Sequence, residues 1–239
     1  MLSSSRPLVS VLITVYNAAP YLGEAIESAL AQTYQPVQVV VVDDGSDDGS
    51  GEVARRYGRS LLYDYQARGG IGAARNRAVE LARGSFFTFL DADDRFPPDK
   101  LTLQMAAFDR DPELEVVYGH VREFVSPDLD PASAGRIRPA VERSPSHLSG
   151  VMLIRRDAFL RVGPFATGLK VGTGVQWYAR SLEHQLKTTI LPQVLLERRL
   201  HLQNNGLREA DSRIQYVHIL KAALDRRRSQ RAAEDHLKR

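Results

Sequence analysis

The sequence predicts an α/β protein built on a mainly parallel sheet with helices on both faces. Three observations carry this. Short apolar, β-branched runs alternate with helical stretches from Leu8 to Gly119. The runs are apolar almost throughout, as strands covered on both faces are. Three of them finish in polar clusters, at Asn17, at Asp43-Asp44 and at Asp91-Asp93-Asp94. Ligands of such sheets bind outside the carboxyl ends of the strands, so the three clusters converge on one edge.

Each element follows from its pattern. Leu8 to Val15 is a buried strand, broken by Tyr16-Asn17. A helix from about Pro20 to Gln32 places Leu22, Ile26, Ala29 and Leu30 on one stripe. Val37 to Val42 is a second strand and Leu61 to Tyr65 a third. Gly69-Gly70-Ile71-Gly72 opens a helix to about Arg83, whose Ala73, Ala74, Ala78 and Ala82 permit close packing. Phe86 to Leu90, too short for a helix and rich in aromatics, is a strand that delivers Asp91, Asp93 and Asp94 at its end. A helix from Pro98 to Asp109 and a strand from Glu115 to Gly119 follow. Ser126 to Pro145, rich in Pro, Ser, Arg and Asp, reads as a long loop. Beyond it lie Val151 to Ile154, a short helix from Asp157 to Val162, a turn at Gly163-Pro164 and a helix from Gln176 to His184. Strands Thr188 to Leu191 and Val194 to Arg198 lead to a C-terminal helix from about Glu209 to Leu224.

At 239 residues, burial of a large core is no obstacle. No apolar run approaches the roughly 20 residues that span a bilayer. Met1 to Pro7 lacks a signal-peptide core, so the expectation is a cytoplasmic protein. The absence of cysteine excludes disulfides, thiolate metal sites and cysteine nucleophiles. Net charge is a modest +3, and no nucleic-acid partner is expected. Basic residues gather late, at Arg226-Arg227-Arg228, Arg231, Lys238 and Arg239. They read either as a solvated helix end or as a peripheral contact with anionic lipid at the inner face of the membrane.

The acidic cluster is the sharpest chemical signal. Adjacent ionised carboxylates disfavour one another, and a hard divalent cation offsets that repulsion. Mg²⁺ or Mn²⁺ held by one or two carboxylates, with phosphates and water completing its shell, is the usual arrangement at a diphosphate. The alternative is a solvated acidic turn ahead of the helix after Pro97-Pro98. Gly70-x-Gly72 is not a dinucleotide fingerprint, because Arg75 stands at the last glycine position and the third strand, not the first, precedes it. Arg75 either faces a diphosphate or lies on the surface.

In this order, Val9-Ser-Val-Leu-Ile-Thr-Val-Tyr-Asn17, Val42-Asp-Asp-Gly-Ser46, Gly72-Ala-Ala-Arg-Asn76 and Leu90-Asp-Ala-Asp-Asp94 resemble family 2 glycosyltransferases of the GT-A fold. The resemblance covers about residues 8 to 120 clearly and continues to about Asn205. It implies a Rossmann-like GT-A sheet, with a nucleotide-sugar half over 8–120, a smaller acceptor-side half over 121–206, and a helical basic extension over 207–239. It implies a UDP-sugar donor and an acceptor substrate. Thr14, Tyr16 and Asn17 would lie at the nucleotide pocket, and Asp43 or Asp44 would accept uracil or ribose hydrogen bonds while the other fixes the loop. Asp93, with Asp91 or Asp94, would bind metal and contact the sugar. Gly70, Arg75, Asn76, Ala92 and Arg199 complete the implied donor set. Arg198-Arg199-x-His201-x-x-Asn204-Asn205 resembles the basic segment after the last strand, where His201 would ligate the metal or bond the leaving group and Arg199 would neutralise it.

The sequence departs from its relatives at the base. The resemblance places carboxylates at the start of a helix containing Trp and Arg; Trp177 and Arg180 match, but Thr173 and Gln176 stand where the acids are expected. Neither is a general base near neutral pH. Glu183, His184, His147 and His120 are the weaker candidates, and the catalytic group stays unassigned. An acceptor that is already anionic would need no base. The expectation is therefore an inverting, metal-assisted glycosyltransferase of open donor sugar, acceptor and oligomeric state. Beside it stands a sugar-nucleotide-binding protein with impaired catalysis. A nucleotidyltransferase is disfavoured, since no phosphate-gripping glycine-lysine signature lies near the first strand.

Overall fold

Buried backbone groups must find hydrogen-bond partners, and among the described residues the short apolar runs find them by pairing into an eight-stranded sheet. The computed structural model describes residues 6–139, 143–202, 204, 217, 219, 221 and 222. The strands are β1 (Val9–Val15), β2 (Val37–Asp43), β3 (Leu62–Tyr65), β4 (Phe86–Asp91), β5 (Val116–Val125), β6 (Ser144–Ser146), β7 (Leu153–Arg155) and β8 (Thr188–Leu200). The helices are α1 (Ala19–Leu30), α2 (Ser50–Arg55), α3 (Ile71–Leu81), α4 (Lys100–Arg110), α5 (Pro131–Ala134), α6 (Arg156–Val162) and α7 (Thr173–Glu183). The strand order is β3-β2-β1-β4-β7-β5-β6, with β8 beside β5. β3, β2, β1 and β4 run parallel, β7 is antiparallel to β4 and β5, and β8 is parallel to β5. The expected α/β class and mainly parallel sheet are what the backbone adopts.

Register sets the functional edge. Val15 lies opposite Asp43 and Thr14 opposite Asp91, so β1, β2 and β4 end level with one another. Below that edge the core is continuous: β1 is buried along its whole length. Phe89 meets the Phe165 ring edge-on at 5.1 Å, and Phe159 stacks on Trp177 at 5.3 Å. Trp177 is buried with its indole Nε1–H donated to the Gly163 carbonyl at 2.9 Å. The small residues of α3 have a concrete use. A Cβ on Gly72 would fall 2.1 Å from the Ala166 carbonyl oxygen, so only glycine lets α3 press against the segment that leads into α7.

Several boundaries differ from expectation. The helix α2 is not anticipated; its six residues are too few for a periodicity to show. The expected Thr188–Leu191 and Val194–Arg198 are one strand, β8, whose register against β5 shifts between Tyr118 and Val121. That irregularity absorbs Pro192, which cannot donate to a regular ladder. β5 runs on to Val125 because β8 pairs with it over that length. The expected loop 126–145 contains α5 and the start of β6. Val151 closes a 3₁₀ turn and the strand begins at Leu153, while α7 starts at Thr173, three residues before the expected Gln176. Of the expected C-terminal helix 209–224, the described positions Val217, Ile219, Lys221 and Ala222 are helical. Asn205 and the basic tail from 226 to 239 lie outside the described residues. Among the described residues no helix is long and apolar enough to cross a membrane.

Lys100 is fully buried at the start of α4, donating from Nζ to Gln104 Oε1 at 2.8 Å over the Phe96 ring. Burial pushes its ammonium well below the ordinary lysine value of 10.5. Between that lowered value and 10.5 the unfolded chain binds the extra proton, so this residue makes stability rise with pH across that window, at up to about 1.4 kcal/mol per pH unit. Lys100→Met should remove that slope and raise the melting temperature at neutral pH; denaturant unfolding at several pH values checks both. Gly72→Ala should cost about 1–3 kcal/mol by overpacking against Ala166, read in the same unfolding experiment.

Candidate functional site

The level strand ends carry the site. Chain leaving β1 turns at Asn17, which adopts the left-handed region (φ 49°) that asparagine tolerates better than most residues. The turn is locked to the end of β2: Asn17 Nδ2 donates to Asp47 Oδ1 at 2.9 Å, and the Asp47 N–H returns a bond to Asn17 Oδ1 at 3.0 Å. At the end of β2 the two adjacent acids divide their work. Asp43 is buried and turned to the protein, accepting from the Ser46 N–H at 2.8 Å and the Tyr63 hydroxyl at 3.0 Å. Asp44 takes the Gln66 amide at 2.7 Å and the Gly69 and Gly70 N–H groups at 2.8 Å each. It thereby ties the glycine segment ahead of α3 to the end of β2. Gly45 (φ 82°) allows the crossing, since a Cβ there would lie 2.9 Å from the Arg68 amide nitrogen. Arg68 sets its guanidinium 3.0 Å over the Tyr16 ring.

The end of β4 holds three carboxylates in three environments. Asp91 is half exposed, with one oxygen paired to Arg75 Nη2 at 2.6 Å. Arg75 itself is buried, its Nε lacking a partner. Asp93 gives Oδ2 to His201 Nε2 at 3.0 Å and to Asn204 Nδ2 at 3.2 Å, and its side chain stays 26% exposed. Asp94 is buried and accepts the Arg199 N–H at 2.9 Å. Burial, together with the Asp93 and Asp91 charges, raises the Asp94 carboxyl well above its usual range. Asn204 also accepts the His201 N–H at 2.6 Å and donates to the Arg199 carbonyl at 3.1 Å, fixing the loop after β8. Tyr21 of α1 lays its ring 4.7 Å from the His201 ring.

These groups surround one cleft of about 430 Å³. Of the residues singled out from sequence, Thr14, Tyr16, Asn17, Asp44, Gly70, Asp91, Ala92, Asp93, Asp94 and His201 line it. Asp43, Arg75, Asn76 and Arg199 do not. Asn76 instead exchanges bonds with the Phe165 carbonyl (2.9 Å) and N–H (2.8 Å), holding the segment that becomes the far wall at Gly168, Leu169 and Lys170. Arg75 is neither on the surface nor in the cleft; it supports Asp91 from behind. Arg199 is 4% exposed and its guanidinium goes to the Asp93 carbonyl (3.0 Å), Ser126 Oγ (3.2 Å) and Glu24. Its neighbour Arg198, paired to Glu123 at 2.9 Å, is the one that lines the cleft. Alternation along β8 explains the exchange, since adjacent side chains point to opposite sides.

None of the weaker base candidates lines the cleft. Glu183 and the cap residue His184 close the C-terminal end of α7, some ten residues from Thr173, or roughly 15 Å along the helix. His147 packs 4.4 Å from the Tyr178 ring, and burial lowers its basicity. His120 sits in β5 with Nδ1 buried and unpartnered. Thr173 Oγ1 and Gln176 Oε1 are likewise buried without a partner.

Among the described residues, no three acidic or histidine side chains converge as a closed metal cage. Asp94 is buried against the Arg199 N–H and Asp91 keeps one oxygen on Arg75, while the expected candidates Asp93, Asp91, Asp94 and His201 all line the cleft. What remains fits a different mode. Asp93, accessible and backed on one oxygen only, is a hard donor of the kind that Mg²⁺ or Mn²⁺ shares with phosphate and water.

Tyr21, Arg68 and Lys170 also face the cleft, unread from the sequence, and Arg198 faces it as a member of the basic segment. Tyr21 carried a signal: with Glu24 and Ser28 it forms a polar i, i+3, i+7 stripe beside the apolar one on α1.

Residues 10–169 match the model of glycosyl transferase family 2. An uncharacterized glycosyltransferase of Rickettsia typhi is 39% identical over 132 residues, covering 51% of this chain and 42% of that protein. An uncharacterized glycosyltransferase of Bacillus subtilis, EpsJ, is 40% identical over 91 residues, covering 37% of this chain and 26% of that one. This chain thus spans less than half the length of those relatives. Among solved structures, S. aureus TarS with UDP-GlcNAc superposes with a TM-score of 0.66 at 20% identity, over 81% of this chain and 58% of that one. The mannosyltransferase PcManGT of Pyrobaculum calidifontis, with GDP-Man and Mn²⁺, gives 0.71 at 20% identity, over 93% and 65%. At that identity the structures speak for the fold alone, which is the GT-A fold.

The three N–H donors on Asp44 make a prediction. In Asp44→Asn an amide group must face at least one of them donor to donor, at a cost of about 1–3 kcal/mol. Thermal unfolding should show a melting temperature several degrees lower; an unchanged value would mean that the carboxylate does not hold the glycine segment.

Proposed function

This chain belongs to glycosyl transferase family 2, and from that premise we propose that it transfers a sugar from a UDP-sugar to an acceptor, with divalent-cation assistance and inversion at the anomeric carbon. The observation that carries the reading is the convergence of Asn17, Asp44, Asp91 and Asp93, from the ends of three neighbouring parallel strands, on one cleft. TarS with UDP-GlcNAc and PcManGT with GDP-Man and Mn²⁺ lend support through the shared fold.

In this reading, residues 8–120 form the nucleotide-sugar half and 121–206 the acceptor-side half of one domain. Thr14, Tyr16, Asn17 and Asp44 flank the nucleoside. Arg68, Lys170 and Arg198 offer positive charge to the diphosphate. Asp93, oriented by His201 and Asn204, would hold Mg²⁺ or Mn²⁺, whose charge when bound would offset that developing on the departing UDP. Asp91, fixed by Arg75, accepts hydroxyls of the donor sugar. An acceptor oxygen forms the new bond to the anomeric carbon as the bond to UDP breaks and UDP takes its electron pair.

A hydroxyl acceptor must also lose a proton, and here a second reading has its own support. Thr173 and Gln176 provide no base, and Glu183, His184, His147 and His120 stay outside the cleft. The same site would then bind sugar nucleotides with impaired transfer.

UDP release from a panel of UDP-sugars, with GDP-mannose as comparison, separates the two. Transfer predicts Mn²⁺-dependent, acceptor-dependent nucleotide release that falls at least about a hundredfold in Asp93→Ala, the loss of roughly 3 kcal/mol of charge stabilisation. Donor-dependent thermal stabilisation without release under any acceptor would favour the binder.

A further inference from the structure

We propose that Glu24, outside the cleft on α1, is a positioning residue that fixes Arg199, and through its grip on the Asp93 carbonyl holds Asp93 where a divalent cation can use it. This rests on the reading of Asp93 as the cation's carboxylate and adds a residue that acts through another.

Arg199 is a nearly fully buried cation one step behind the acidic turn. Its Nε holds the Asp93 carbonyl at 3.0 Å and its own N–H holds Asp94 at 2.9 Å. The carboxylate paired with its guanidinium is Glu24. A buried cation that loses its partner is strongly destabilised and turns to the nearest anion. Beside Glu24, the guanidinium feels Asp128, beyond β5 and away from the acidic turn, so turning there would draw its Nε off the Asp93 carbonyl. Glu24 therefore does more than compensate a charge: it fixes which way the guanidinium points.

The rest of the α1 stripe acts on the same turn. Glu24 also pairs with Arg95, which pairs with Glu197, which pairs with Arg122. Arg95 and Glu197 exchange backbone hydrogen bonds at 3.1 and 2.9 Å. Ser28 Oγ accepts the Phe96 N–H at 3.1 Å. The chain from Asp94 to Phe96 is thus seated against α1 and β8 by groups that never reach the cleft.

The test is Mn²⁺ affinity in the presence of UDP, measured by electron paramagnetic resonance of the free ion and so independent of turnover. Glu24→Gln keeps the shape and removes the charge. Its Mn²⁺ affinity should fall about tenfold, the size typical of lost outer-sphere support, while Glu24→Asp, which restores the carboxylate, should return close to wild type. Should Glu24→Gln melt below the assay temperature, Arg199→Lys gives up the forked grip while keeping the charge, and the same loss is expected. Wild-type affinity in the folded Glu24→Gln protein, with binding lost in Asp93→Ala, would overturn this inference and leave the reading of Asp93 intact. Equal Mn²⁺ binding by wild type and Asp93→Ala would overturn that reading, and this inference with it.

Discussion

Three carboxylates within four residues, at the tip of a strand buried on both faces, repel one another, and the surrounding structure is arranged around that repulsion. Each acid is answered separately. Asp91 has a buried arginine from α3 behind it, Asp94 a backbone N–H from the end of β8, and Asp93 a histidine and an asparagine from the loop beyond. The answering groups come from sequence positions 16 to 111 residues away. The turn is therefore fixed by the fold as a whole rather than by its own sequence. Asp93 emerges with one oxygen held by His201 and Asn204 and its side chain partly exposed.

The same logic explains how legible the molecule was. Strands β1, β2 and β4 announce themselves, since strands buried on both faces leave uninterrupted apolar runs, and parallel order then sends their ends to one edge. Asn17, Asp44 and Asp93 were readable for that reason. Roles that depend on the direction of a side chain were not. Asp43 and Asp44 are adjacent and identical, and their partners distinguish them, Ser46 and Tyr63 for the one, Gln66 and the glycine segment for the other. Arg198 and Arg199 are likewise adjacent, yet strand alternation turns one to the cleft and buries the other. Arg75 carried a signal in its place near the start of α3, but its partner is Asp91. β8 was divided in two because a proline inside a run resembles a break until the bulge that accommodates it is seen.

Glu24 and Ser28 show what periodicity conveys when the polar side of a helix is read as carefully as the apolar one. In α1 the residues next to the buried stripe are not a solvated face. They bond to the chain that follows the acidic turn, so that a helix beside the end of β1 also supports the turn after β4. At α7 the reverse holds. Its buried face packs Trp177 against Phe159, while its first turn offers Thr173 and Gln176, polar but without a titratable group.

The most direct measurement is a crystal structure with UDP and Mn²⁺. The account predicts nucleoside density along Tyr16, Asn17 and Asp44, a diphosphate between Arg198 and Asp93, and the cation on Asp93. Nucleotide or cation settling elsewhere, with Asp93 still engaged only by His201 and Asn204, would contradict it.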